Sequence, residues 1–178
     1  MEYNLKKINN GNIYEIKLLN GEYVYVCFIG GYTFGLFDLV SETSIGLNIL
    51  EKIDFKFYTS CKKNGIIKSN WKYIGTMDLE KNNIKVPDQA IFLAWNIEDS
   101  YKNPQIMRNG NLIKVTIKEY KTILKKNGVY GFYDDYKKFE NYIYWNLDNI
   151  RNNKPIEIEY DIIQKIGAKE YTKYLKLK

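Results

Sequence analysis

Beginning at Asn12, apolar and polar side chains interleave: Tyr14, Ile16 and Leu18 alternate with Ile13, Glu15 and Lys17, the two-residue period of a β-strand. Asn20-Gly21 follows, and because both residues tolerate positive φ the pair predicts a type I′ turn closing a hairpin. The run Glu22 to Ile29, rich in Tyr and Val, reads as the returning strand. Gly30-Gly31 supplies the next turn, Tyr32 to Leu39 a third strand, and Ile53 to Tyr58 a further alternation. Short strands joined by close turns predict a curled sheet or small barrel.

Two more strands are expected at Trp71 to Asp78 and Ala90 to Trp95, separated by the polar stretch Glu80 to Asp88, where Pro87 interrupts any ladder. After Leu112 to Val115 the spacing becomes helical. Thr116-Ile117-Lys118-Glu119 is a capping box, Ile117, Tyr120, Ile123 and Leu124 share a face, and Asn127-Gly128 offers a left-handed stop, so a helix is predicted over 117–126. Tyr136, Phe139, Ile143, Leu147 and Ile150 predict a second helix from Asp135 to Asn149, ended before Pro155. Ile156, Ile158 and Tyr160 alternate like a strand before Ile162, Ile163 and Ile166 return to helical spacing. The fold class is therefore α+β: a β-rich N-terminal curled sheet or small barrel with two or three C-terminal helices packed on it, strand outweighing helix. Residues 1–178 are expected to form a single domain, with 155–178 as a C-terminal extension.

Composition narrows the chemistry. The chain has no histidine, which excludes a Ser-His-Asp triad, a Cys-His pair, a histidine-ligated zinc site and an imidazole proton shuttle. Catalysis would have to use carboxylates, Lys or Tyr, and no catalytic residue, metal or cofactor is expected. The two cysteines, Cys27 and Cys61, fit a reducing compartment, and Cys27 lies in an apolar strand where it should pack as a small hydrophobe. No run approaches the 18 apolar residues of a membrane span, and Met1 to Lys7 does not lead into the apolar stretch of a signal peptide, so a cytoplasmic location and no membrane partner are expected.

The net charge of +6 raises the question of nucleic acid, yet Arg108 and Arg151 are the only arginines among 27 basic residues. The abundance of Lys, Asn, Ile and Tyr matches AT-rich codon usage. The excess charge gathers late in the chain, with Lys165, Lys169, Lys173, Lys176 and Lys178 opposed only by Glu170, as on a solvated face. The Glu22 to Ile29 strand carries aromatic residues without a single Lys or Arg, whereas a base-stacking sheet interleaves the two. A nucleic-acid partner is thus disfavoured.

Other motifs read as structure. Gly30-Gly31-Tyr32-Thr33-Phe34-Gly35 lacks the Lys and the following helix of a phosphate cradle and reads as a strand turn. Asp134, Asp135 and Glu140 are the carboxylates that could hold a metal, but acids at a helix start are favoured by the dipole alone. Seventeen tyrosines, clustered at Tyr130, Tyr133, Tyr136, Tyr142 and Tyr144, suit strand and core filling and, beyond that, protein recognition.

Three stretches resemble the immunity protein 26 family of bacterial toxin-neutralising proteins. Gly11 to Ile16 with Leu18, Asn20-Gly21 and Tyr23-Val24-Tyr25 is similar to that family's opening hairpin; Gly65 to Gly75, containing Trp71 and followed by Pro87, resembles its central segment; Arg108-Asn109-Gly110, with the capped helix at Thr116 to Glu119 ending near Gly128 to Gly131, is similar to its closing region. The resemblance implies a small cytoplasmic β-rich protein, encoded beside a toxin and binding it stoichiometrically to block its active site. It also implies Trp71 as a core anchor and Gly21 and Gly75 as backbone-permissive positions. Some relatives carry a small-phosphotriesterase label, an activity that ordinarily needs metal-bound water and a ligand set this chain lacks.

The reading is a non-enzymatic immunity protein whose partner is a cognate protein toxin, with the turn and helix start at Tyr133, Asp134, Asp135 and Tyr136 as the expected contact. The alternatives are a phosphotriester hydrolase using a carboxylate-bound metal and a basic nucleic-acid-binding module.

Overall fold

The computed structural model describes residues 8–92, 97–130 and 135–174. Strands β1 (Asn12–Lys17), β2 (Tyr23–Gly30), β3 (Thr33–Ser41) and β4 (Phe55–Ser60) form an antiparallel meander, and β5 (Lys72–Thr76) joins the free side of β1. The order β4-β3-β2-β1-β5 leaves β4 and β5 as edges, so the curled sheet stays open and no closed barrel forms. A second sheet, β6-β7-β8, is built from Gln89–Ala90, Gln105–Arg108 and Asn111–Lys114. Of the strand expected over Ala90 to Trp95, Ala90 is strand and Ile91 and Phe92 are not, while Leu93 to Trp95 lie outside the described residues, as do Met1 to Lys7 and the tail lysines Lys176 and Lys178. The strand β7 was not foreseen.

Asn20-Gly21 and Asn109-Gly110 make different turns. Leu18 N–H donates to Glu22 O, and Gly21 N–H to Leu18 O, which makes a three-residue loop with Gly21 at φ 89° while Asn20 keeps a negative φ. That is a type I turn with a glycine bulge, in place of the predicted type I′ turn. The type I′ condition, positive φ at both central residues, is met instead at Asn109 (φ 50°) and Gly110 (φ 78°), which join β7 to β8 with Arg108 opposite Asn111.

Both faces of the large sheet are covered, which explains why β2 is buried from Val24 to Gly30 and shows no polar alternation. Tyr14, Ile16, Val24, Val26, Phe28, Phe34 and Leu36 face Trp71 and the helices; Ile13, Tyr25, Cys27, Ile29 and Phe37 face Leu50, Met77 and the partly buried Ile45, Leu47, Ile53 and Ile84. The second cover is mostly irregular chain, with the short helix α1 (Leu47–Leu50); α2 (Lys63–Ile67) and α3 (Ile97–Lys102) are equally brief.

Helix α4 (Ile117–Asn127) starts and ends where the sequence predicts. Thr116 Oγ1 accepts from Glu119 N–H at 3.2 Å, and Gly128 takes φ 73°. Only half of the capping box forms, because the Glu119 carboxylate accepts from Arg108 at 3.0 Å. The helix expected over Asp135–Asn149 splits into α5 (Tyr136–Trp145) and α6 (Leu147–Arg151) at the buried Asn146, and α7 (Glu159–Ile166) and α8 (Ala168–Tyr174) follow. Among the described residues five helices, rather than two or three, follow the second sheet, and helix (32%) slightly exceeds strand (30%). No strand forms at Ile156 to Ile158. Asn146 takes the place of a neighbouring strand: its Oδ1 accepts from Glu157 N–H at 2.7 Å and its Nδ2 donates to Glu157 O at 3.1 Å, satisfying that backbone with one side-chain amide.

A candidate partner-binding cleft

Trp71 is the pivot. It lies just before β5, is 2% exposed, and its ring meets Tyr14, Phe34 and Phe139 at centroid distances of 6.4, 6.0 and 5.1 Å. An indole N–H in such a core needs an acceptor. It donates to Glu140 Oε1 on α5 at 2.6 Å. The helix is oriented for this by its own cap, since Asp135 Oδ1 accepts from Lys137 N–H at 2.9 Å, and by Phe139, Tyr142 and Ile143 buried on its inner face.

Glu140 opens outward into a cleft of about 270 Å³. One wall is the hairpin end, Lys17, Leu18 and Leu19, with Asn70 beside it. The other is the outer side of α5, where Tyr136, Glu140 and Tyr144 stand at i, i+4 and i+8 in a single stripe flanked by Lys137 and Asn141. Leu19 (69% exposed) and Tyr144 (40%) give the cleft an apolar rim. Burial raises the Glu140 pKa above the ordinary glutamate value; the indole hydrogen bond and nearby Lys137 pull the other way but do not cancel it, and Asp135 adds to the rise. The wall is fixed in place, since Arg151 on α6 bridges Asp148 and Glu22 at the hairpin.

Of the four residues expected to make contact, Tyr133 and Asp134 lie outside the described residues, Asp135 is exposed and occupied as the α5 cap, and Tyr136 lines the cleft. The structure brings to Tyr136 two residues the sequence reading had weighed in other roles: Glu140 as a possible metal ligand and Tyr144 in the tyrosine cluster. Their four-residue spacing on a predicted helix is the signal that could have joined them. Tyr142, from the same cluster, is core. Asp135 and Glu140 bond to Lys137 N–H and to the Trp71 indole, and among the described residues no three Asp, Glu or Cys side chains converge as metal ligands would.

Elsewhere the polar groups are absorbed by the fold. Glu15, 5% exposed, accepts from Tyr25 Oη at 3.2 Å and from Ser44 Oγ and pairs with Lys72 at 3.6 Å, while Tyr25 Oη accepts from Ile45 N–H at 2.9 Å. This ties the segment after β3 to the sheet. Burial drives the Tyr25 hydroxyl up to about 12 and the Cys27 thiol likewise to about 12; Cys27 and Cys61 are buried and unpaired with each other. The Gly30 to Gly35 segment is the β2–β3 turn. Among the described residues no helix is long and apolar enough to cross a membrane.

An open antiparallel sheet backed by helices, with a cleft lined by Tyr136 and Tyr144, defines an α+β protein. The family model for immunity protein 26 matches residues 9–101, more than half of the 178 residues, and the chain belongs to that family. Membership fits an immunity function and implies a toxin partner in general terms. No curated protein and no solved structure matches the chain.

Proposed function

We propose that this protein neutralises a cognate bacterial toxin in the cytoplasm by binding it stoichiometrically, without catalysis, and that the cleft between the β1–β2 hairpin and α5 is part of the contact. Family membership over residues 9–101 is the observation that carries the reading. The cleft supports its location: aromatic rims beside a desolvated charge are the composition of protein-interface hot spots. The net charge of +6 favours a partner whose contact surface is acidic around that point. Residues 1–178 would form one domain, a reading supported by the larger of the two core clusters, which draws on side chains from Ile8 to Tyr171.

The test is co-expression with the toxin encoded by the neighbouring gene. Growth should be rescued by the chain, and the purified pair should migrate as a complex of fixed ratio. Asp134→Ala/Asp135→Ala should lower affinity; unchanged affinity would remove that turn from the contact. Failure to rescue, or turnover of an activated phosphotriester by homogeneous protein, would reject the reading.

A further inference from the structure

We propose that the cleft is a socket for one arginine side chain of the partner, seated on Glu140 between the rings of Tyr136 and Tyr144 and flanked on the partner by acidic residues. The inference rests on the toxin-binding reading above. Its first support is a carboxylate with a lysine, Lys137, in its vicinity but no direct ion pair among the described residues. Glu15 stands beside Lys72, Glu119 beside Arg108 and Glu157 beside Lys165, yet Glu140, half-buried, has no ion pair among the described residues. Its one hydrogen bond there comes from the Trp71 indole to Oε1, which leaves Oε2 and a lone pair of Oε1 uncommitted on a residue that lines the cleft. A buried carboxylate costs free energy unless paired, and an arriving cation would lift that cost only in the complex.

Geometry selects arginine. Tyr136 and Tyr144 stand one helical turn to either side of Glu140, so a planar cation at the carboxylate has an aromatic neighbour within a turn in each direction; guanidinium stacks on such rings and forms paired hydrogen bonds, which an ammonium does not. The volume selects a side chain, because about 270 Å³ falls below the roughly 300–1,000 Å³ of small-molecule sites. The rim selects the arginine's neighbours. Lys137 is exposed, and Lys17, whose Nζ lies 5.6 Å from the Tyr23 ring centre, stands on the opposite wall. Negative floor and positive rim together match a basic residue set among acids and reject a uniformly basic patch.

The experiment uses the full chain and the toxin encoded beside it, with affinity measured by calorimetry. E140Q keeps an oxygen to accept from Trp71 and removes a partly desolvated charge, so it should be at least as stable as the wild type, yet bind at least about tenfold more weakly. Replacing each surface arginine of the toxin by alanine, with wild type and with E140Q, should find one arginine whose loss is nearly silent against E140Q. Wild-type affinity retained by E140Q, or no arginine coupled to it, overturns the socket while leaving neutralisation intact. A wild-type chain that does not bind the toxin at all rejects the underlying reading.

Discussion

The two faces of the five-stranded sheet each carry a carboxylate, and they treat it in opposite ways. Glu15, on the face closed by irregular chain, is surrounded by Tyr25, Ser44 and Lys72 from three segments, each supplying a donor. Glu140, over the face closed by helices, receives one indole N–H and then meets a cleft. A charge satisfied from every side fastens a structure, whereas one left half-satisfied at an opening is poised for a group from outside. The contrast separates architecture from recognition more clearly than burial alone, since both carboxylates are shielded.

The comparison can be broken at Trp71, where the helical face is anchored. Trp71→Ala should cost about 3–5 kcal/mol, enough to unfold a marginal domain, because it removes a ring packed on three aromatic partners and strands Glu140; urea denaturation checks this. On the other face, Glu15→Ala should cost about 1–3 kcal/mol in the same assay by leaving the buried Tyr25 hydroxyl with only the long contact to Thr43 O, at 3.4 Å, as acceptor. Smallest at neutral pH, and opposite in sign to the others, is Glu140→Gln. Because the folded-state pKa of Glu140 is raised, folding favours its protonated form: that contribution is complete below the unfolded-state value and fades as pH rises through the folded one. The variant should therefore lose a fall in melting temperature that the wild type shows just above the ordinary glutamate range. Glu157, lowered chiefly by Lys165 and also by the Trp145 indole, should act in reverse, its contribution disappearing as pH falls. A Glu140→Gln melting curve that keeps the wild-type pH slope would show that Glu140 is not desolvated enough to matter.

How much of this was legible depended on the range of the forces involved. The first four strands and α4 follow from alternation, turn residues and a cap, all local. Asn20-Gly21 and Asn109-Gly110 show the limit: identical dipeptides form different hairpin turns because strand register, set by packing across the sheet, decides how many residues the loop spans. Likewise Ile156 and Ile158 alternate as a strand would, but the nearest partner for that backbone is Asn146, ten or so residues earlier, so no ladder forms. β7 was missed because only four residues separate Pro104 from Asn109, too few for a period to register. At the candidate site Tyr136 was visible as an aromatic at a helix start; Glu140 gained its role only when Trp71, 69 residues away, took one of its oxygens.

The cleft's walls come from opposite ends of the chain, Lys17 to Leu19 on a hairpin welded into the sheet and Tyr136 to Tyr144 on the outer flank of one helix. The inner face of that helix holds Phe139, Tyr142 and Ile143 in the core, apart from outward positions such as Lys137 and Tyr144. The contour of the cleft is therefore free to drift by redrafting a few outward side chains while the scaffold beneath them stays as it is.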